Sequence, residues 1–474
     1  MDYKNTYCNP IKIEDYPKGY ELPSYRSLAD PSVLFYDGKW YMYPSYKMVY
    51  VTEDFVNWEH IDILPNDIGY APTVVEHNGK IYLYGKNSLF VSDSPLGPFE
   101  NLGALKFDDG TPLRVDFDAM IFSDYAGKVY LYYANFFGVE RKNKNGNIDN
   151  VWDVSIWGAE LDSNDLTRVI SPEKCLIKFD NTHRWECYGA RNQNTANSWV
   201  EGPWMVKRNG RYYLTYSAPG THFSTYAMGV YYSDDGPLEG FVYQKNNPIC
   251  NKSHGLISGG GHGCITEGPN DTLWAFYTCP VNYSHRFERF LGMDPVTITE
   301  DGEMVVLENT ESPQWAPGVK KDPYFENDTG LLPLTISETA YASSVESGRD
   351  AIYAVDESVL TWWQPKTEDE EKSLTVLLDG LYDVSAARII WRDVGLDYEC
   401  GNLPGPFKYK IQVSLDEENW TTVLDKSQND KDLKFDYNVF PTTDAKFVRL
   451  TICGHPKNIQ PGVINFTVFG KYSD

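Results

Sequence analysis

Residues 30–46 read DPSVLFYDGKWYMYPSY. A β-branched and aromatic run comes first, then Asp37-Gly38, then a second aromatic run that alternates with other residues. Asp-Gly or Asn-Gly between two such runs signals a tight hairpin, because the turn needs positive φ and glycine adopts it without steric cost. The unit returns four times: APTVVEHNGKIYLYGKN at 71–87, DAMIFSDYAGKVYLYYAN at 118–135, EGPWMVKRNGRYYLTYSA at 201–218 and HGCITEGPNDTLWAFYT at 262–278, the last with its turn altered to Asn270-Asp271. VSDSPLGPFE at 91–100 and YYSDDGPLEGF at 231–241 read as the strand, turn and strand that complete a unit. Helical periodicity is nearly absent. Five units over about 300 residues, with long insertions around 136–200, predict a five-bladed β-propeller, since radial repetition leaves only short, protected sheet edges. The alternative is a β-sandwich with similar hairpins.

The pattern changes after the fifth unit. NTESPQWAPGVKKDPYFENDTGLLP at 309–333 is rich in Pro, Asp and Asn and loses alternation, so it reads as a linker. Alternating strands resume within 342–365, 373–395, 407–425 and 445–454, the pattern of a jelly-roll sandwich. The expected division is 1–310 for the propeller, 311–333 for the linker and 334–474 for the sandwich, an all-β chain throughout. The sandwich is expected to pack beside the propeller and to supply no catalytic residue.

The chain has 474 residues and a net charge of -25, a field that repels nucleic acid and anionic membranes, so neither is an expected partner. No run of 18 apolar residues is long enough to span a bilayer. The N-terminus MDYKNTYCNPIKIEDYPKG has no apolar leader core, so the sequence as it stands reads as cytoplasmic, or as secreted or periplasmic with a leader removed. The 8 cysteines are scattered with no CxxC pair and read as buried free thiols. Aromatic residues reach 15%, with 35 Tyr and 13 Trp; they suit strands and offer flat faces to sugar rings.

Aligned on their turns, the five units carry Asp30, Ala71, Asp118, Glu201 and His262 eight or nine positions before the turn. First strands of propeller blades line the central channel, so these positions converge on one mouth. Carboxylates gathered there push one another's pKa values apart, a signature of function. Glycoside hydrolysis needs such a set: one protonated carboxyl for the leaving oxygen and one ionised carboxylate as base or nucleophile. A third can tune the acid. In the inverting form the acid and base stand about 6.5–9.5 Å apart.

Here the sequence resembles glycoside hydrolase family 43, five-bladed propellers that invert anomeric configuration. Leu28-Ala29-Asp30-Pro31-Ser32-Val33 is similar to the family's general-base motif. Phe117-Asp118-Ala119-Met120-Ile121-Phe122, followed by Gly127-Lys128-Val129-Tyr130-Leu131, is similar to that of its pKa-modulating Asp, with Ala119 in place of the usual Pro. Val200-Glu201-Gly202-Pro203-Trp204 is similar to the general-acid motif. Gly261-His262-Gly263 is similar to the family's channel histidine, which implies one Ca2+ or Na+ ion held there directly or through water, and no organic cofactor. Arg289 stands where many members have a substrate-contacting Arg, although Arg286 is three residues away. The resemblance implies release of α-L-arabinofuranosyl or β-D-xylosyl units from plant oligo- or polysaccharides. A β-galactosidase of the same fold, or a non-catalytic sugar-binding propeller, is the alternative. A retaining fructan-acting propeller is disfavoured, because Glu186-Cys187 lacks that group's Asp-Pro-Asn and Arg-Asp-Pro partners.

Three neighbours compete for these roles. Asp116 shares a strand face with Asp118, but the hairpin register favours Asp118. Glu267 abuts the fifth turn and reads as a turn residue. Gly259-Gly260-Gly261-His262-Gly263 is no phosphate loop, since neither Lys-Ser/Thr nor a helix follows. The C-terminal region resembles the coagulation-factor-5/8 C-terminal (discoidin-like) domain through Ala354-Val355-Asp356, Thr361-Trp362-Trp363, Leu378-Asp379, and Ser414-Leu415-Asp416 with Trp420. The resemblance implies either carbohydrate binding through variable loops or a structural role.

Overall fold

The structure, a computed structural model, describes residues 2–45, 48–62, 68–142, 148–281 and 284–473. All five hairpins form: Ser32–Tyr36 with Lys39–Tyr43, Thr73–His77 with Lys80–Gly85, Phe117–Ser123 with Val129–Lys142, Glu201–Arg208 with Arg211–Ala218, and Gly261–Gly268 with Thr272–Pro280. In the first, second and fourth, both turn residues have positive φ: Asp37 and Gly38 at 49° and 79°, Asn78 and Gly79 at 52° and 74°, Asn209 and Gly210 at 53° and 83°. These are the mirror-image turns whose twist matches that of paired strands. Two further strands complete each antiparallel sheet, ending at Ile61, Gly103, Tyr243 and Val306 in blades one, two, four and five. Blade three is enlarged. Its second and third strands extend to 14 and 15 residues, Lys106–Phe107 joins its outer edge and Lys174–Ile177 pairs with its third strand.

The first strand of each blade packs against the first strand of the next, and that of blade five packs against that of blade one. The ring is therefore closed, and all five strand entries share one axis. Closure is polar at the seam: Trp40 Nε1 donates to the Glu267 carbonyl at 2.8 Å and the Leu28 amide to the Arg289 carbonyl at 3.1 Å. Between the sheets lies an apolar core that includes Trp274, Phe276, Tyr277, Leu291 and Met293.

The C-terminal unit is a β-sandwich built on long bent strands. Ser373–Val394 pairs with Phe435–Gly454 and, over its second half, with Gln460–Tyr472; Lys408–Ser414 and Thr421–Lys426 extend the sheet. Trp363, Trp391, Val448 and Phe466 fill its separate core. The segment between the units is tied down, with Gln314–Trp315 paired to Thr6–Tyr7 and a short helix at Pro323–Glu326. Among the cysteines, Cys400 and Cys453 are exposed and the others are wholly or partly buried, none of them in a disulfide. Among the described residues, no helix is long and apolar enough to cross a membrane.

Candidate active site

Strand entry has the same backbone form in every blade. Asp30, Ala71, Asp118, Gly202 and His262 have φ of 57°, 44°, 53°, 59° and 33°. Non-glycine residues occupy this left-handed region at a cost of about 1–3 kcal/mol, and aspartate tolerates it better than most. In blades three, four and five the hairpin register shifts immediately afterwards: Phe117, Glu201 and Gly261 pair with Ala134, Ser217 and Thr278, and pairing resumes at Met120, Trp204 and Cys264. Glu201 therefore matches Phe117 and Gly261, not Asp118 and His262. The alignment on the turns is off by one residue in blade four: Asp30 and Ala71 stand 7 residues before Asp37 and Asn78, and the same spacing before Asn209 gives Gly202 and not Glu201. Gly202 holds the left-handed position, and a Cβ there would lie 2.9 Å from His262 Cγ.

The shift does not separate the groups. Asp30 accepts from Ser45 Oγ at 2.7 Å, and Arg289 Nη1 lies 3.3 and 3.4 Å from its two oxygens. His262 Nδ1 stands between two carboxylates, 3.2 Å from Asp30 Oδ1 and 3.4 Å from Asp118 Oδ2. Asp118 Oδ2 also accepts the Gly202 amide at 3.1 Å. Glu201 accepts from the Tyr226 hydroxyl at 2.6 Å and from Trp199 Nε1. The carboxylates are nearly dry, at 2% exposure for Asp30 and 6% for both Asp118 and Glu201. Burial, and then the charge of Asp118, push the Glu201 carboxyl up to about 8. Burial and the charge of Asp30 push Asp118 well above the carboxylate range. Burial and the Glu201 charge keep the Tyr226 phenol a neutral donor.

A cavity of about 1070 Å³ opens on this set, with Tyr70, Asp118, Tyr188, Trp199, Glu201 and Arg289 in its wall. Among the described residues, none of the C-terminal unit lines it. Asp30 does not line it either; its carboxyl sits behind, against Arg289 and Ser45. Arg289 is 2% exposed, whereas Arg286 also faces the cavity but pairs at 3.4 Å with Glu21 at the surface.

The competing acids have other partners, although Asp116 also lines the cavity. Asp116 is bound by Arg114 at 2.9 and 2.6 Å and accepts the Phe136 amide. Glu267 accepts from Tyr125 at 3.3 Å at the far end of its strand. Glu186 is buried and accepts from Tyr216 at 2.6 Å and His183 at 2.8 Å. The glycines before His262 seat Tyr226, since a Cβ on Gly261 would meet its ring at 2.5 Å. Tyr226, Trp199 and Ser45 were missed by sequence reasoning. Only Trp199, two residues before Glu201, had a signal, as an aromatic beside an acid motif.

The expected cation would have to meet His262 through Nε2, directly or through water, because Nδ1 lies against two carboxylates. Among the described residues no three His, Cys, Asp or Glu side chains gather as a metal site.

A model of glycosyl hydrolases family 43 matches residues 24–304, and one of the F5/8 type C domain matches residues 339–460. The chain belongs to family 43. It is therefore a glycosidase, and the carboxylates described above lie in its family-43 propeller. It is 27% identical over 316 residues to a xylosidase/arabinosidase of Bacteroides ovatus, a match covering 54% of this chain and 92% of that protein. It is 24% identical over 320 residues to a beta-xylosidase of Xylanibacter ruminicola, with the same 54% and 92%. A solved structure of a thermostable family-43 glycoside hydrolase, 27% identical, covers 66% of this chain and 100% of its own with a TM-score of 0.52. These matches stop short of the full chain, which carries the F5/8 type C domain in addition.

Proposed function

We propose that this family-43 member is an inverting glycosidase that releases α-L-arabinofuranosyl or β-D-xylosyl residues from plant polysaccharide fragments. Glu201 is the general acid, Asp30 the general base, and Asp118 tunes and orients the acid. The observation that carries this reading is the buried Glu201 carboxyl, raised to about 8 and facing a sugar-sized cavity. Near neutral pH it holds its proton and can deliver it to the leaving oxygen as the C–O bond breaks. Asp30, the ion-pair partner of Arg289, takes a proton from the water that attacks C1 from the opposite face. The proton lost by Glu201 and the one gained by Asp30 balance over a turnover.

Asp118 lines the cavity and Asp30 does not, which favours a second reading with the two aspartates exchanged. Against it, the charge that raises Glu201 is that of Asp118 and not of Asp30, which suits Asp118 as the modulator of the acid. The Arg289–Asp30 contacts, at 3.3 and 3.4 Å, are longer than the usual 2.7–2.9 Å of charge-assisted bonds.

The names of the relatives support pentose substrates. One, from Aspergillus niger and 22% identical over 318 residues, is called a beta-D-galactofuranosidase, so that sugar belongs in the test. The test is hydrolysis of aryl arabinofuranoside, xyloside, galactofuranoside and galactopyranoside, with NMR of the anomer first released. Turnover of a pentoside with inverted product supports the reading. Retained configuration, or inactivity on the whole panel, overturns it.

A further inference from the structure

Among the described residues the C-terminal sandwich supplies none to the cavity wall, yet it grips the chain on both sides of Arg289. The strand Arg289–Ile298 begins at that residue, and in an extended chain alternate side chains point to opposite faces. Glu288 and Phe290 therefore turn away from the cavity while Arg289 turns into it. Both meet the sandwich. Lys434 Nζ donates to Glu288 Oε1 at 2.9 Å, with the two side chains 3% and 1% exposed, and the Phe290 ring packs 5.3 Å from that of Phe435. The other Glu288 oxygen accepts the Ser284 amide at 2.9 Å, which holds the loop that presents Arg286 and Phe287 to the cavity.

The same interface secures the segment leading to Asp30. Arg26 donates to Asp393 at 3.0 and 3.1 Å and to Asp432 at 2.6 Å, with no exposure of its own side chain. Two residues on, the Leu28 amide bonds the Arg289 carbonyl, and Ser27 Oγ accepts from Arg289 Nε at 3.4 Å. Buried ion pairs are a poor way to glue two domains, because desolvation offsets most of the attraction and apolar residues of the same volume hold as well. What an ion pair adds is a fixed direction.

We propose that Lys434 of the F5/8 type C domain is a positioning residue for the propeller's active site, holding Glu288 so that Arg289 stays in register with Asp30. The proposal rests on the roles given above to Asp30 and Arg289.

The full chain, Lys434→Met, Lys434→Arg, Arg289→Ala and the Lys434→Met/Arg289→Ala double variant are compared for kcat, KM and Tm on the best aryl glycoside. Lys434→Met is expected to lower kcat/KM about 10- to 100-fold, the scale of a misplaced binding group, and Lys434→Arg to recover part of it. In the Arg289→Ala background the same substitution is expected to change kcat/KM less than about twofold while lowering Tm as much as before. A purely structural role would not give that split. If Lys434→Met does not fold, Lys434→Met/Glu288→Gln, which leaves no charge unpaired, is read in the same way. An active parent whose folded variant stays within about twofold of it overturns the proposal alone, as does an equal further loss without Arg289. A parent inactive on every glycoside overturns it together with the proposed function.

Discussion

Replacing Glu201 with Gln tests the acid most sharply. The amide keeps the shape and can still accept from Tyr226 or Trp199, the two donors that hold the carboxylate. It cannot give up a proton. With the carboxyl raised to about 8, about nine-tenths of the molecules hold that proton at pH 7. A glutamate at its model value of 4.5 would hold it in about one molecule in three hundred. The environment therefore multiplies the acid-competent population by more than two orders of magnitude. General acid assistance is typically worth about 10²–10⁴-fold, and a poor alkoxide leaving group needs all of it. Glu201→Gln should lose about that factor on an oligosaccharide or methyl glycoside. On a dinitrophenyl glycoside, whose leaving group departs unprotonated, it should keep activity within about tenfold of the parent. The assay is kcat/KM on both substrates across pH, since that ratio reports the free enzyme's ionisations. The parent's alkaline limb should fall near pH 8 and be missing from the variant. Equal loss on both substrates, or a limb that survives the substitution, refutes the assignment.

Three further outcomes follow from the same contacts. Asp118→Asn removes a charge that raises Glu201, so the alkaline limb should move to lower pH, yet stay above 4.5 because burial is the larger cause; a limb that does not move shows that Asp118 is not the modulator. Tyr226→Phe removes a hydrogen bond that favours the ionised acid, so the limb should move to higher pH, and a downward shift in the pH–rate profile would contradict the geometry. Gly202→Ala places a Cβ 2.9 Å from His262 at a φ of 59°, and denaturant titration should show a loss of at least about 1–3 kcal/mol.

The hairpins were legible because two-residue turns carry their own chemistry: Asp37-Gly38, Asn78-Gly79 and Asn209-Gly210 all sit at positive φ as such turns require. Once the repeats are aligned, channel geometry brings the acids together without further information. The one-residue slip at Glu201 was legible as well: the 7-residue spacing of Asp30 and Ala71 before their turns gives Gly202 before Asn209, and the slip entered by letting that spacing vary by one. Tyr226 and Ser45 lie in the segments that follow second strands, where no periodicity marks them. Lys434 and Glu288 were illegible for a different reason. Charged residues are exposed by default, and only the folded interface shows that these two are buried against each other.

The strand entries also show how the ring itself raises the Glu201 carboxyl. In three blades the left-handed residue donates its amide to a hydroxyl at the end of the preceding blade's second strand. Ala71 donates to Ser45 at 3.0 Å, His262 to Ser217 at 2.7 Å, and Asp30 to Thr278 across the closure at 2.8 Å. Blade three offers no such hydroxyl to blade four: the residue level with Ser217 and Thr278 is Ala134. The Gly202 amide turns instead to the Asp118 carboxylate, at 3.1 Å. A latch that is neutral elsewhere thus becomes a charged one beside Glu201. The bond that completes the ring between blades three and four delivers the negative charge that helps raise the acid, and Gly202 is the residue through which it does so. Ser45 works in the same economical way, receiving the Ala71 amide and donating to Asp30 Oδ2 at 2.7 Å. Blade two, which has no acid at its own entry, still helps to orient Asp30, the proposed base. The strained entries at Asp30, Ala71, Gly202 and His262 are kept because a residue of the preceding blade fixes each, and around a closed ring every blade has a preceding one.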